Sequence, residues 1–180
     1  MKRKAIFFDR DGTLIIDKVY LNDVEQIEYL PGVFTALKRL QDAGFVFIVV
    51  TNQSGIARGI VDPKNLELIH QKIQSDFNKN EINFAGFYFA PFSVESNHHN
   101  RKPNPGMLEI ASQEHNIDLS QSWMVGDRMT DVEAGHRAGT RTVLLSGVDH
   151  PEKSQFEKPF AFVPDILTVS KVILEAPARR

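Results

Sequence analysis

The amino-acid sequence predicts an α/β protein, a doubly wound parallel sheet in three layers with helices on both faces. Short apolar runs alternate along the chain with segments of helical spacing, which is typical of repeated βα units. The run at residues 45–50 is apolar at every position, as expected of a strand buried on both faces. The 180 residues suffice for a sizeable core, so we expect one domain over residues 1–180.

Local signals place the elements in chain order. A helix is predicted over residues 33–43, where apolar residues have helical spacing and Gly44 follows. The next begins at Asp62, the expected N-cap, with Pro63 at its first position, and extends to about residue 78. The other predicted strands are 5–8, 87–89, 123–125, 142–145 and 160–163, and the other predicted helices are 105–115, 130–138 and one that Pro164 and Asp165 open.

Two further segments bear on the organisation of the domain. Segment 55–84 is interpreted as one helix with its flanks, so no inserted cap domain is expected. Residues 176–180 are expected to form a frayed tail.

Composition excludes several classes of protein. Hydrophobic residues make up 42% and charged residues 24%, and the net charge of −2 gives no case for attraction to nucleic acid. The chain has no cysteine, which excludes disulfides, thiolate metal sites and a thiol nucleophile. The basic residues 2–4 precede only four apolar residues, too few for a signal peptide or a membrane span. We therefore expect a cytoplasmic protein with no membrane partner.

Asp9 and Asp11 follow the first strand and precede Gly12, a predicted turn. Strand geometry would place both carboxylates on one face, and two like charges this close are costly unless a cation or a proton intervenes. Phosphoryl transfer uses both remedies, because one carboxylate can attack phosphorus and bind a divalent metal while the other transfers a proton. A calcium loop is a weaker interpretation, because Tyr20 occupies the position of its bidentate Glu.

Other strand ends supply complementary groups, and parallel sheets bind ligands at that edge. The Thr51 hydroxyl and the turn after it suit an anionic oxygen, although a helix cap or a plain turn is an equal interpretation. Lys102 offers a point charge to phosphate or is a solvated surface lysine. Asp127 can complete an oxygen shell for Mg²⁺. Asp131 could hold Lys102, reach the metal through a water, or complement a helix N-terminus.

These motifs resemble, in order, the four motifs of the haloacid dehalogenase superfamily of phosphatases, over roughly residues 5–145. Within these motifs, the residue identities at 9–13, 51–59 and 101–107 are similar to those of the D-glycero-D-manno-heptose 1,7-bisphosphate 7-phosphatases. These enzymes serve the synthesis of nucleotide-activated heptose. The related histidinol-phosphate phosphatases share this frame but usually differ after the Asn-Gln step, so the agreement at residues 56–59 favours the heptose branch.

The resemblance implies a role for each matching residue. Asp9 would be the nucleophile that forms an aspartyl-phosphate, and Asp11 would protonate the leaving oxygen and later deprotonate water. Mg²⁺ would be bound by Asp9, the backbone carbonyl of Asp11 and Asp127. Thr51 and Lys102 would steady the phosphoryl oxygens.

The resemblance also implies an open pocket for a small phosphorylated metabolite, on a chain that we expect to be a monomer. Arg101 and Arg128 would contact the substrate, at its second phosphate or its hydroxyls. The other residues expected to line the pocket are Asp17, Tyr20, Asn52, Gln53, Ser54 and Arg58.

One segment departs from the family. Its members usually carry a zinc loop of three cysteines and a histidine before the Arg-Lys-Pro motif, whereas residues 88–100 contain no cysteine. His98 and His99 alone cannot complete a tetrahedral site, so no structural zinc is expected, and the substrate assignment is weakened. The role of the two histidines stays open.

Two alternatives remain. A receiver-like phospho-switch would carry its phospho-accepting Asp after the third strand, where this chain has Phe89 and Ala90. A phosphatase for another ester, such as histidinol phosphate or another sugar phosphate, keeps every catalytic position. A nucleic-acid 3′-phosphate is disfavoured, since the chain has no basic, aromatic-rich stripe.

Overall fold

A computed structural model describes residues 2–147 and 149–179 of the chain. Its strands are β1 (Ala5–Phe8), β2 (Val46–Asn52), β3 (Phe84–Ala90), β4 (Trp123–Gly126), β5 (Arg141–Leu145) and β6 (Ala161–Val163). Its helices are α1 (Val33–Asp42), α2 (Ser54–Ala57), α3 (Pro63–Asn78), α4 (Gly106–Glu114), α5 (Met129–Ala138) and α6 (Ile166–Glu175). The strands form one parallel sheet in the order β3-β2-β1-β4-β5-β6.

The sheet separates two apolar layers because side chains alternate along each strand. In β1, Ile6 and Phe8 pack on the face that α1, α3 and α6 cover, whereas Ala5 and Phe7 pack on the face covered by α4 and α5. Both layers consist mainly of buried apolar residues, with partly buried ones packed against them. The predicted three-layer α/β fold is therefore confirmed.

Segment 55–84 differs from its predicted form. It contains part of the short helix α2 as well as α3, because the chain turns between them. The carbonyl of Gly55 accepts hydrogen bonds from the backbone N–H groups of Ile60 and Val61, and the Asp62 side chain then caps α3. Within the described residues, no cap domain interrupts the sheet.

β2 and β3 differ most from their predicted bounds. β2 extends to Asn52, so Thr51 lies inside the strand rather than after it. β3 begins at Phe84 because its pairing with β2 overrides the weak strand preference of Ala85 and Gly86. Because the strands are parallel, the carboxyl ends of β2 and β3 lie at the same edge of the sheet as that of β1.

Arg3 and Arg179, near the two ends of the described part of the chain, lie away from that edge. Arg3 donates to the carbonyl of His115, and Arg179 donates to the carbonyls of Ser120 and Gly139. The predicted frayed tail includes Arg180, which is outside the described residues. None of the helices described is long and apolar enough to cross a membrane.

Candidate active site

A cleft of about 490 Å³ lies at the carboxyl ends of β1, β2 and β4. Its position follows from the topology, since these three strands are neighbours at the centre of the sheet. Most of the residues predicted for the site line it: Asp9, Asp11, Asp17, Tyr20, Thr51, Asn52, Gln53, Ser54, Arg101, Lys102, Arg128 and Asp131.

Lys102 is the buried cation at the floor of the cleft. Its Nζ lies 2.8 Å from Asp9 Oδ1, 2.8 Å from the carbonyl oxygen of Val50 and 2.6 Å from Asp131 Oδ1. Lys102 is 3% exposed, and burial alone would lower its pKa, but the charges of Asp131 and Asp9 raise that pKa overall. The ammonium is therefore kept charged and fixed beside Asp9.

Asp127 completes a cluster of acids. Carboxylate oxygens of Asp9, Asp127 and Asp131 all lie within 4.8 Å of one another. Burial, and then the charges of Asp9 and Asp131, raises the pKa of Asp127 to about 8. Its Oδ1 is buried and has no hydrogen-bond partner among the residues that the structure describes. The Lys102 ammonium contacts only Asp9 and Asp131 of this cluster. A divalent cation would balance the remaining negative charge, and the all-oxygen donor set fits Mg²⁺.

Two glycines allow the carboxylates this close approach. Gly12 has a positive φ of 78°, and a Cβ at this position would lie 2.3 Å from Asp127 Oδ2. A Cβ on Gly126 would lie 2.1 Å from Asp131 Oδ2. Both distances are shorter than any real contact, so a side chain at either position would displace a carboxylate of the cluster.

The Asp11 carboxylate is held by two donors. Arg10 Nη2 lies 2.9 Å from Asp11 Oδ2, and Gln53 Nε2 lies 2.9 Å from the same oxygen. The same Gln53 nitrogen is 2.9 Å from Thr51 Oγ1, which links the predicted proton donor to the predicted hydroxyl ligand. Burial raises the pKa of Asp11, and the neighbouring Arg10 opposes that rise.

Asn52 positions the Lys102 backbone. Its Nδ2 donates to the carbonyl of Lys102 at 3.0 Å, and its Oδ1 accepts from the N–H of Lys102 at 3.1 Å. Both polar atoms of the amide are thus directed at the loop that carries the lysine, although Asn52 also lines the cleft.

Arginines surround the mouth of the cleft. Arg128 Nη2 lies 3.2 Å from Asp17 Oδ2, and Arg101 Nη1 donates to the carbonyl of Phe92 at 3.1 Å. Arg58 does not line the cleft but donates to the Tyr20 hydroxyl at 2.9 Å, which places it behind the rim. Ser54 begins α2 at the same edge.

Sequence reasoning missed several residues of the site. Arg10 received no role, although a charged residue between two acids is itself a signal. Asp149 lines the cleft and accepts a hydrogen bond from the Met129 N–H at 2.6 Å; it follows β5, so the strand-end rule could have found it. Asn97 and Thr130 also line the cleft, and no motif marked them.

The two histidines of the cysteine-free loop make local contacts. The His98 ring stacks on Phe92 with ring centroids 3.5 Å apart. His99 Nε2 lies 2.8 Å from Glu109 Oε2, and both of these groups are exposed. Neither histidine lines the cleft.

Comparisons with known proteins agree with this geometry. Residues 99–169 match the family model described as HAD-hydrolase-like. A D-glycero-beta-D-manno-heptose-1,7-bisphosphate 7-phosphatase of Helicobacter pylori is 40% identical over 143 residues, which are 79% of this chain and 83% of that protein. A D-glycero-alpha-D-manno-heptose-1,7-bisphosphate 7-phosphatase of Photorhabdus laumondii is 32% identical over 179 residues, 96% of this chain and 97% of that protein.

A solved structure has the same fold. The D,D-heptose 1,7-bisphosphate phosphatase of B. bronchiseptica, complexed with magnesium and phosphate, superimposes with a TM-score of 0.86 and 27% identity, covering 96% of this chain and 98% of that chain.

A central parallel sheet with a carboxylate cluster and a buried lysine at its strand ends defines a HAD-like phosphatase, a phosphoric monoester hydrolase. The family predicted from the motifs is confirmed. The chain belongs to the D-glycero-D-manno-heptose 1,7-bisphosphate 7-phosphatase family.

Proposed function

We propose that this phosphatase removes the 7-phosphate of D-glycero-D-manno-heptose 1,7-bisphosphate. One observation carries the proposal: Asp9 lies buried between Lys102 and Asp127 at the floor of a cleft of about 490 Å³. The cleft suits a small ester, and the relatives described above are named for that substrate.

The reaction proceeds in two steps on the chain's own residues. A carboxylate oxygen of Asp9 forms a bond to phosphorus while the P–O bond to the sugar breaks, and Asp11 gives its proton to the leaving oxygen. Water then attacks the aspartyl-phosphate, Asp11 takes the water proton, and the P–O bond to Asp9 breaks to release phosphate.

The surrounding groups stabilise the charge that develops in these steps. Lys102 and Thr51 donate to the transferring phosphoryl oxygens. Asp9, Asp127 and the backbone carbonyl of Asp11 would hold Mg²⁺, which when bound neutralises and aligns the phosphate.

The mouth of the cleft accommodates the rest of the substrate. Arg101 and Arg128 bind the second phosphate or the hydroxyls of the substrate. When it binds the second phosphate, Arg128 exchanges its contact with Asp17 for a contact with that phosphate. Arginine suits this task because its guanidinium donates two parallel hydrogen bonds to a phosphate. Tyr20, Asn52, Gln53, Ser54 and Arg58 form or support the wall around the sugar.

A substrate comparison in Mg²⁺ tests the proposal. The substrates are the α and β anomers of the heptose 1,7-bisphosphate, histidinol phosphate and a 3′-phosphorylated oligonucleotide, and we expect the highest kcat/KM for a heptose anomer. Preferential turnover of histidinol phosphate would move the assignment to the related branch. The relatives carry both anomer names, so the same experiment selects the anomer.

The other expectations from sequence stay predictions. These are a monomeric, cytoplasmic protein that acts on a small metabolite, binds no nucleic acid and needs no structural zinc. Sedimentation measures whether the protein is a monomer. One tightly held zinc per purified chain in a metal analysis would contradict the expectation that no structural zinc is needed.

A further inference from the structure

Arg10 is a buried cation to which the proposed reaction assigns no task. Its side chain is 1% exposed. Its Nε lies 3.2 Å from both carboxylate oxygens of Asp11, and its Nη2 lies 3.0 Å from Oδ1 and 2.9 Å from Oδ2. A two-pronged contact of this kind fixes both the position and the plane of a carboxylate.

The third nitrogen of the guanidinium is held by a histidine from another element. Arg10 Nη1 lies 3.3 Å from Nε2 of His70 on α3. A guanidinium can only donate, so Nε2 accepts and the ring is neutral with its proton on Nδ1. Burial and the charge of Arg10 lower the pKa of His70 to about 3, which keeps the ring in this form at neutral pH.

The His70 ring is itself fixed by packing. It stacks on Phe87 of β3, with centroids 5.1 Å apart and planes 30° from parallel. A chain of contacts therefore runs from the edge strand of the sheet through His70 and Arg10 to Asp11. From the other side, Gln53 bonds Asp11 and Thr51.

We propose that Arg10 and His70 are positioning residues that hold the Asp11 carboxylate for proton transfer, with His70 acting through Arg10. The inference rests on the proposed role of Asp11 as proton donor and is independent of the identity of the sugar. A misplaced proton donor slows the departure of a basic leaving group, but it matters little when the leaving group departs without a proton.

Two aryl phosphates separate these cases. The leaving group of phenyl phosphate is phenolate, which is the more basic of the two. The leaving group of p-nitrophenyl phosphate is a weakly basic anion that needs no proton. A rapid-quench measurement of the phenol burst in Mg²⁺ reports the first half-reaction alone.

Two variants at one position separate hydrogen bonding from packing. His70→Leu removes the acceptor, whereas His70→Gln restores an acceptor oxygen to Arg10. We expect His70→Leu to lower the burst rate on phenyl phosphate about 10–100-fold while changing that on p-nitrophenyl phosphate less than about threefold. KM should stay unchanged, and His70→Gln should regain most of the lost rate.

His115→Leu is the matched control. His115 is also a partly buried histidine beside β3, where its Nε2 lies 3.0 Å from the Tyr88 hydroxyl, but it contacts neither Arg10 nor Asp11 among the described residues. It should leave both burst rates unchanged. Arg10→Lys, which keeps the charge but loses the two-pronged contact, should reproduce the effect of His70→Leu if it folds.

Equal losses on both aryl phosphates in His70→Leu, or no loss on either, would overturn the inference. A selective loss would support it even if the wild-type enzyme failed to hydrolyse the heptose bisphosphate. That failure would instead count against the proposed substrate, so the two proposals fail separately.

Discussion

Asp9, Asp127 and Asp131 form a cluster of three carboxylates, and the Lys102 ammonium pairs with two of them, Asp9 and Asp131. The arrangement is unfavourable for an isolated polypeptide, because buried like charges raise one another's pKa values. It becomes favourable when a cation binds. Asp127 Oδ1, which is buried without a hydrogen-bond partner among the described residues, would then gain a ligand contact. At the residue scale, then, part of the folding stability is given up for a site that is ready for metal and phosphate.

The nucleophile is tested by Asp9→Asn, which keeps the size of the side chain and removes its negative charge. We expect phosphate release to fall at least about a thousandfold, because an amide does not form the acyl-phosphate. Far-UV circular dichroism checks that the fold is retained, since Lys102 keeps Asp131 as a partner. Activity close to that of the wild type would contradict the covalent step.

The lowered pKa of His70 predicts a pH dependence of stability. The folded state binds the proton with a pKa of about 3, whereas the unfolded chain binds it near the ordinary 6.5, so only the unfolded state gains protons between these values. Stability is fully present above pH 6.5 and is lost as the pH falls towards 3, by at most about 1.4 kcal/mol per pH unit.

Urea unfolding of wild type and His70→Gln at a series of pH values between 7 and 4 measures this dependence. The variant should lose less free energy of unfolding than the wild type over that range. Parallel curves for the two proteins would show that His70 does not titrate as described.

Single residues differed in how far the sequence could predict them. Asp9 and Asp127 could be predicted because they end strands, and topology alone brings strand ends together. Arg10 could not, because its position depends on which way one side chain turns and on a histidine 60 residues away. Asn52 was predicted to line the pocket, which it does, but its amide also holds the Lys102 backbone, a contact that no local pattern encodes.

At the scale of elements, the N-terminus of α5 combines stability with function. The Asp131 side chain accepts from the backbone N–H of Arg128 at 3.0 Å and also contacts Lys102. In contrast, Asp165 caps α6 by accepting from Thr168 N–H at 2.7 Å, far from the cleft. Asp131 is the third residue of α5 and Asp165 is the N-cap of α6, so each acid satisfies a backbone N–H at a helix N-terminus, but only Asp131 also contacts a residue of the cleft.

Substituting each acid by alanine separates the two contributions. Asp131→Ala removes a cap and one partner of a buried lysine, so we expect it to lower the free energy of unfolding by about 2 kcal/mol and to reduce kcat. Asp165→Ala should cost less stability and leave kcat unchanged. Chemical denaturation and steady-state kinetics on both variants check this, and an equal effect on kcat would contradict the assignment.

Element boundaries show where sequence reasoning stopped. The helix beginning at Pro63 was placed correctly, since a capping acid followed by proline is a strong local signal. The helix at Ser54–Ala57 was missed because four residues are too few to show a period. The start of β3 was missed because Ala85 and Gly86 disfavour a strand until β2 pairs with them.

At the scale of the whole molecule, metal binding should be linked to folding. Mg²⁺ at a hundred times its Kd would add about 2.7 kcal/mol to the stability, which for a chain of this size is a rise in Tm of about 5–10 °C. Asp127→Asn should abolish this rise. In the absence of metal the same variant should melt above the wild type, since it removes an acid whose charged form is disfavoured first by burial and then by the charges of Asp9 and Asp131.

Differential scanning fluorimetry with and without Mg²⁺ measures both effects. Asp165→Asn is the matched control, as it replaces an acid outside the cleft and should keep the full rise. A variant at Asp127 that still responds to Mg²⁺ like the wild type would show that the cation binds elsewhere.

The pairing of β1 with β4 at the centre of the sheet divides the chemistry between two halves of the polypeptide. A fragment that ends after α4 would contain the nucleophile Asp9 and Lys102, whereas the remaining fragment would contain Asp127 and Asp131. Neither fragment could hydrolyse an ester alone. The phosphatase activity recovered on mixing the two fragments would therefore measure directly how many molecules have reassembled.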